Sequence, residues 1–355
     1  VSGPERGAEA AELVARVTEV VRACLAREVA RVEPLPGALS LRRFARVWLA
    51  GEPRSLIARV DAPEDPAGRP PGIPPEPPLE PVRTLFEAGG LPVPRRLGGD
   101  ARAGIELLED VGSVSLRQLQ AGADAALRDA LYREVCDWIP RIQSLRDPGG
   151  IPAFERRLTA AHFAYKADLF ARYSLRGLGR AASAAEVACV TDAFAAIGRA
   201  ALAAPQRLAH RDLQSENVMV RMSGDRRLLA MIDLQGALCT APEYDLVSLL
   251  RDSYVELAPA EIDRHFARTQ RALPDDCDPE VARHRFDCLT LTRKGKDHAR
   301  FVYAAAERGD DRYLPYLATT LRHLRAAAAA AAARDPSLAG LAELIHALPE
   351  PPCAP

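Results

Sequence analysis

Residues 210–217 read His210-Arg211-Asp212-Leu213-Gln214-Ser215-Glu216-Asn217, and a short strand pair later the chain reads Ile232-Asp233-Leu234-Gln235-Gly236. Moving a phosphoryl group from a nucleotide to an alcohol needs one carboxylate facing the acceptor hydroxyl. It also needs an amide oxygen and a second carboxylate that hold Mg²⁺ on the phosphates. Asp212, Asn217 and Asp233 carry those groups in that order. Val218-Met219-Val220 and the run from Leu228 to Ile232 read as two strands around a Ser223-Gly224-Asp225 turn. So tight a hairpin brings Asn217 back beside Asp233. A lone Asp or Asn in a loop is ordinarily a turn former or a helix cap. The ordered set of three, with a strand pair inside it, is what points to chemistry. Asp212 is therefore the candidate catalytic residue, Asn217 and Asp233 the candidate metal ligands, and ATP and Mg²⁺ the expected cofactors.

A chain of 355 residues buries a large core and is expected to form two lobes. The formal net charge of −1 supplies no basic field for nucleic acid or an anionic membrane, and an aromatic content of 5% gives little surface for stacking bases. Cys24, Cys136, Cys189, Cys239, Cys277, Cys288 and Cys353 are scattered, with no Cys-x-x-Cys pair. They read as free thiols of a reducing compartment. There is no apolar run of membrane-spanning length and no basic-then-apolar leader pattern. The expectation is a cytoplasmic protein whose partners are small molecules.

Apolar residues Leu13, Val17, Val20, Val21, Cys24 and Leu25 recur at helical spacing and predict a helix over 8–32. Strands are expected over 45–49 and 55–60, then a loop over 61–81 dense in proline, whose fixed φ and missing amide favour extended backbone. A short helix over 79–88 stops at Gly89-Gly90, and strands near 95–97 and 104–108 follow. Beyond Asp110-Val111-Gly112 the pattern is helical: 115–145, 153–176, 184–203, 242–256, 259–272, 279–306 and 311–333. The layout is α+β, a bilobal protein-kinase-like fold with a small β-rich lobe over 1–108 that binds nucleotide. A large helical lobe over 109–355 carries the catalytic loop and the acceptor site.

From about residue 10 to 333 the chain resembles the aminoglycoside phosphotransferase/choline kinase superfamily. Within it, the chain is most similar to bacterial cell-wall sugar kinases acting on the anomeric hydroxyl of N-acetylmuramate and N-acetylglucosamine. The stretches that carry this are Gly37-Ala38-Leu39-Ser40-Leu41-Arg42-Arg43-Phe44, Ser55-Leu56-Ile57-Ala58 with Asp61-Ala62-Pro63, the run from Tyr244 to Tyr254, and Arg293-Lys294-Gly295-Lys296-Asp297. Only a dozen positions separate Asp233 from Asp245, and no Ala-Pro-Glu follows, so no long activation loop can hold a peptide. A small-molecule acceptor follows from the residues alone.

On this resemblance Gly37 and Ser40 let backbone amides approach the nucleotide phosphates. The strand that should carry a phosphate-binding lysine reads Ile57-Ala58-Arg59-Val60, so Arg59 is the candidate replacement, paired with Glu80; Arg42 or Arg43 is the other choice. Backbone groups near Leu108 and Glu109 are expected to meet adenine. His210 is read as structural, Arg211 as lying close to the chemistry, and Asp245 as a buried acceptor for the loop. Arg251 and Asp252 are candidates for the sugar pocket, with His162, Tyr165 and Asp168 to complete it. Arg251, Arg293 and Lys294 are the cations available to a lactyl carboxylate. The implied product is a sugar 1-phosphate for a nucleotidyltransferase in cell-wall recycling. The competing readings are an aminoglycoside antibiotic kinase, a kinase of another sugar or amino alcohol, and a nucleotide-binding pseudokinase. The missing lysine motivates the last, and the intact Asp212, Asn217 and Asp233 oppose it.

Overall fold

The computed structural model describes residues 3–36, 42–52, 54–61, 72–223 and 226–350. In chain order the elements begin with α1 (Gly3–Leu25), β1 (Val29–Pro34), β2 (Arg43–Leu49), β3 (Ser55–Val60), α2 (Leu79–Ala88), β4 (Arg96–Asp100), β5 (Ile105–Glu109) and β6 (Val114–Ser115). Then come α3 (Leu116–Ala121), α4 (Ala125–Ser144), α5 (Pro152–Glu155), α6 (Ala160–Leu169), α7 (Ala184–Ala203), β7 (Arg207–Ala209), β8 (Val218–Ser223), β9 (Arg226–Met231) and β10 (Leu238–Thr240). The chain closes with α8 (Tyr244–Leu250), α9 (Pro259–Gln270), α10 (Pro279–Arg308), α11 (Leu317–Arg334) and α12 (Ala339–Ala347). By internal contacts it divides into two units. One holds Val1–Gly68, Pro92–Ser113 and Met219–Ile232; the other holds Arg69–Leu91, Val114–Val218 and Asp233–Pro355.

The first unit is an antiparallel sheet in the order β1-β2-β3-β5-β4 with α1 on one face. Its core follows from strand alternation. Ala45, Val47 and Leu49 of β2, Leu56, Ala58 and Val60 of β3, and Ile105 and Leu107 of β5 are buried with Leu13, Val17, Val20 and Val21 of α1. β8 and β9 are neighbours in a separate small sheet.

The second unit is helical around α10. Asp278 caps that helix, its carboxylate accepting from the N–H groups of Glu280 (2.7 Å) and Val281 (3.4 Å); Pro279 opens it, and Gly309 ends it in left-handed backbone. The stretch from Phe286 through Gly295 is buried. Gly295 lets α10 approach closely, since a Cβ there would stand 3.1 Å from ring atoms of both Phe170 and Phe194. Among the described residues no helix is long and apolar enough to cross a membrane.

Several expected helices are shorter than their sequence pattern. The first ends at Leu25, Ala26 turns at φ 51°, and Val29–Pro34 becomes an edge strand on β2 with Arg31 stacked 3.7 Å over the Trp48 ring. Pairing to a waiting edge outweighs helix propensity there. The segment expected over 115–145 splits at Gly122, because Ser115 and Asp124 each cap a separate helix. The one expected over 242–256 ends at Leu250, and the Asp252 carboxylate takes the Tyr254 N–H at 3.0 Å. α12 was not foreseen.

His323 is buried with its Nε2 3.2 Å from the Asp252 carbonyl. Burial, reinforced by Arg251 and Lys294, pushes its pKa down to about 3. The unfolded chain thus holds a proton on this ring that the folded protein refuses. The stability tied to the neutral ring is full above the free-histidine pKa of about 6.5 and is lost progressively as pH falls from there toward about 3. Relative to His323→Gln, the parent is expected to lose stability between about pH 7.5 and pH 5. Urea midpoints measured across that range check it; a pH-independent difference contradicts it.

Candidate active site

β7 and β10 pair antiparallel with Ala209 opposite Leu238, so the segments leaving that end, 210–217 and 233–237, emerge side by side. A Cβ at Gly236 would lie only 3.6 Å from Nη1 of Arg211. The first segment is held at both ends by buried carboxylates. Asp245 accepts the His210 N–H at 2.8 Å and the Arg211 N–H at 2.9 Å. Asp252 accepts the Ser215 N–H at 2.8 Å and also its hydroxyl. Burial pushes both carboxyls up from the ordinary Asp value, and these donors work against it. Arg211 itself has φ 75°, and its carbonyl accepts from Arg293 Nη1 (2.8 Å) and from the Ser248 hydroxyl (3.3 Å). His210 is buried, and its Nδ1 accepts the Asp212 N–H at 3.3 Å.

Asp212 keeps 40% of its side chain open to solvent while its Oδ1 pairs with Nη2 of Arg293. Burial acts to raise its pKa, but the Arg293 guanidinium and the Lys296 ammonium hold it down at about 2. It is a permanent anion facing outward. Asn217 donates Nδ2 to the Asp212 carbonyl at 2.9 Å, which fixes the amide and leaves Oδ1 as the atom for a cation. Asp233 is exposed, in left-handed backbone at φ 66° and ψ 45°, with Gln235 Nε2 donating to its Oδ1. One amide oxygen and one carboxylate, both hard donors, suit Mg²⁺, which binds few protein ligands and takes the rest from phosphate and water. Among the described residues no group of three or more His, Cys, Asp or Glu side chains gathers as a metal cage.

Other expected residues take different places. Arg251 is buried on the Phe286 ring (5.5 Å) and 3.6 Å from Asp287, and Asp252 spends its oxygens on Ser215 and Tyr254. Both were expected in the sugar pocket; both are committed to the interior. Asp168 pairs with Arg172 on an exposed helix face, Tyr165 is half-buried, and His162 closes a capping box with Thr159. Arg211 reaches Glu76 at 3.4 Å. Lys294 is fully buried between the Ser253 hydroxyl (3.2 Å) and Asp297 (3.0 Å).

In the first unit, Gly37 and Ser40 lie outside the described residues. Arg43 is exposed at the first position of β2. Arg59 is buried and shared between Glu106 (2.9 Å) and Asp61 (2.7 Å), while Glu80 accepts from Arg83 of its own helix at 2.7 Å. Leu108 has Ile57 on one side and Arg96 on the other, and the Glu109 N–H already donates to the Arg95 carbonyl at 2.8 Å. The Glu109 amide is thus taken by the Arg95 carbonyl. Asp110, not singled out from the sequence, is a hub that accepts from Arg46 Nε (2.6 Å), the Ser55 hydroxyl and the Gly112 N–H (2.9 Å).

Also missed were Lys166, Tyr244 and Lys296, which gather around Arg293. Lys166 Nζ lies 3.4 Å from the Tyr244 hydroxyl, and Arg293 stands 5.5 Å from the centre of the Tyr244 ring. A compositional signal was there to find. The chain has 44 arginines and only three lysines, Lys166, Lys294 and Lys296, and all three meet at this one place.

The sheet-and-helix architecture and this loop define a phosphotransferase. Residues 31–286, more than half of the chain, match the Phosphotransferase enzyme family, and the chain belongs to it. It is 27% identical over 333 residues to the N-acetylmuramate/N-acetylglucosamine kinase of Pseudomonas aeruginosa, covering 91% of this chain and 90% of the relative. To the protein of that name from Neisseria meningitidis it is 26% identical over 314 residues, covering 86% and 87%. In fold it is similar to the choline kinase LicA from Streptococcus pneumoniae, with a TM-score of 0.56 at 16% identity over 89% of this chain and 98% of that one.

Replacing Asp245 by Asn turns one of two buried acceptors into a donor facing an N–H. An unsatisfied buried group of this kind costs about 1–3 kcal/mol. Asp245→Asn is expected to lose about that much stability in urea titration, with a sharp fall in turnover; an unchanged midpoint would show that the loop does not rest on this carboxylate.

Proposed function

We propose that this chain is an ATP- and Mg²⁺-dependent kinase that phosphorylates the anomeric hydroxyl of an N-acetylated amino sugar, N-acetylmuramate or N-acetylglucosamine, giving the sugar 1-phosphate. The observation that carries this reading is the Asp212 carboxylate, ionised and open to solvent on a loop that also orients Asn217. The names of the relatives support the choice of acceptor.

Asp212 aligns the sugar hydroxyl with the γ-phosphorus. At a pKa of about 2 it is too weak a base to ionise an alcohol beforehand, so the proton leaves late. The new O–P bond forms as the bond to the ADP oxygen breaks, and the hydroxyl proton passes to Asp212 and then to solvent. A loose transition state tolerates that order, because catalysis here is mostly positioning and charge stabilisation. Asn217 Oδ1 and Asp233 would hold Mg²⁺, which supplies neutralisation of phosphate charge. On the sequence reading, Gly37 and Ser40 would let backbone amides approach the phosphates with Arg43 as the candidate cation, while Arg59 is held by Glu106 and Asp61. The sugar 1-phosphate would pass to a nucleotidyltransferase in cell-wall recycling in the cytoplasm. A polycationic antibiotic is disfavoured as acceptor, since Arg293 and Lys296 both bear on Asp212, with Lys166 close behind them.

Purified protein with ATP and Mg²⁺ should release ADP with N-acetylmuramate or N-acetylglucosamine, with loss of the reducing end, and not with kanamycin. ADP only with the antibiotic would reverse the assignment, and nucleotide binding without ADP from any acceptor would leave a pseudokinase. Asp212→Ala is expected to bind nucleotide normally while turnover drops by about 10²–10⁴-fold. Asp233→Ala should instead lose the Mg²⁺-dependent part of nucleotide affinity, measured by calorimetry with and without the cation.

A further inference from the structure

The four cations Lys166, Arg293, Lys294 and Lys296 lie among three carboxylates, Asp212, Asp297 and, beside Lys294, the buried Asp252. Asp212 is paired with Arg293, and Asp297 divides its oxygens between Lys294 (3.0 Å) and Lys296 (2.9 Å). Lys166 is buried between the Phe163 and Tyr244 rings, 4.9 and 5.3 Å from their centres. Among the described residues its ammonium has one hydrogen bond, to the Tyr244 hydroxyl at 3.4 Å. With Tyr244 protonated the cluster carries one positive charge beyond its acids, and Lys166 is the cation with no carboxylate beside it among the described residues. The field is felt by its neighbours: although burial opposes it, Lys166, Arg293 and Lys296 bring the Tyr244 phenol down to about 7. Lys296 and Asp212 are partly open, so a ligand can enter, whereas Lys294 and Lys166 lie deep. That a chain otherwise built on arginine places its only lysines here argues for compact ammonium groups that meet a single small anion.

We propose that Lys166 and Lys296 form an anion subsite beside Asp212 that takes a carboxylate carried by the acceptor, so that an acidic amino sugar is preferred over its neutral counterpart. This rests on the kinase reading of the same site. Arg293, placed between Asp212 and Tyr244, separates the reacting hydroxyl from the carboxylate end. Lys294 holds Asp297, which in turn aims Lys296.

Initial rates of ADP release would be compared for N-acetylmuramate, its methyl ester and N-acetylglucosamine. The acid is expected to exceed its ester in kcat/KM by at least about tenfold, a normal effect for a charge-assisted contact. Lys296→Met and Lys166→Met should each shrink that ratio, mainly through KM for the acid and with KM for ATP little changed, and Lys296→Arg should restore part of it. Equal use of acid and ester, a test that needs no variant, overturns the subsite. So does a Lys296→Met defect confined to KM for ATP, which would assign the lysine to the γ-phosphate instead. Calorimetric titration with acid and ester separates this proposal from the kinase reading. Selective binding of the acid without ADP release would keep the subsite and remove the kinase; no discrimination in binding would remove the subsite.

Discussion

Two backbone N–H groups resting on one buried carboxylate, that of Asp245, hold the chemistry of this protein in place. The turn they secure is unfavourable on its own. Arg211 sits at φ 75°, where a side chain crowds its own backbone, and such conformations cost of order 1–3 kcal/mol. Asp233 at φ 66° is the second such residue at the site. Both persist because the surroundings leave them no alternative. Asp245 fixes the amide side of Arg211, Arg293 and Ser248 fix its carbonyl, and the β7–β10 pairing sets the two segments next to each other. Asp212 then projects outward and Asn217 turns its amide nitrogen inward, without either being placed by its own neighbours in sequence.

The second constraint is charge. α10 runs buried through the helical unit and delivers three cations within four residues, Arg293, Lys294 and Lys296, with only Asp297 among them to compensate. Arg293 is placed to do two things at once, closing the Arg211 carbonyl and holding Asp212 ionised. A carboxylate so stabilised is poor at abstracting a proton early and well suited to guiding a hydroxyl, which is what a loose phosphoryl transfer asks of it. The same helix therefore shapes both the reacting group and the electrostatic character of whatever binds beside it.

Much of this was legible in the residues. The spacing of Asp212, Asn217 and Asp233 identified the loop and its hairpin, because turn geometry over so short a distance leaves few arrangements. The alternation in β2, β3 and β5 and the helical period in α1 marked one core. Asp245 was read as a buried acceptor, and it is one. What misled was adjacency. Arg251 and Asp252 follow the loop's partner helix closely and look available, yet one packs on Phe286 and the other anchors Ser215. Val29–Pro34 continues a helical pattern until an unpaired strand edge claims it.

The order of residues in the chain settled the class of chemistry and the kind of fold, since both are written in short-range patterns: a loop of eight residues, a hairpin, and periods of two and 3.6. Tertiary packing alone decided which charges gather around Arg293. Lys166 and Lys296 are 130 positions apart, and nothing local links them; they meet because α6 and α10 pack together beside the loop. Electrostatic fields depend on distance in space and on exclusion of water, and neither is a property of neighbours along the chain.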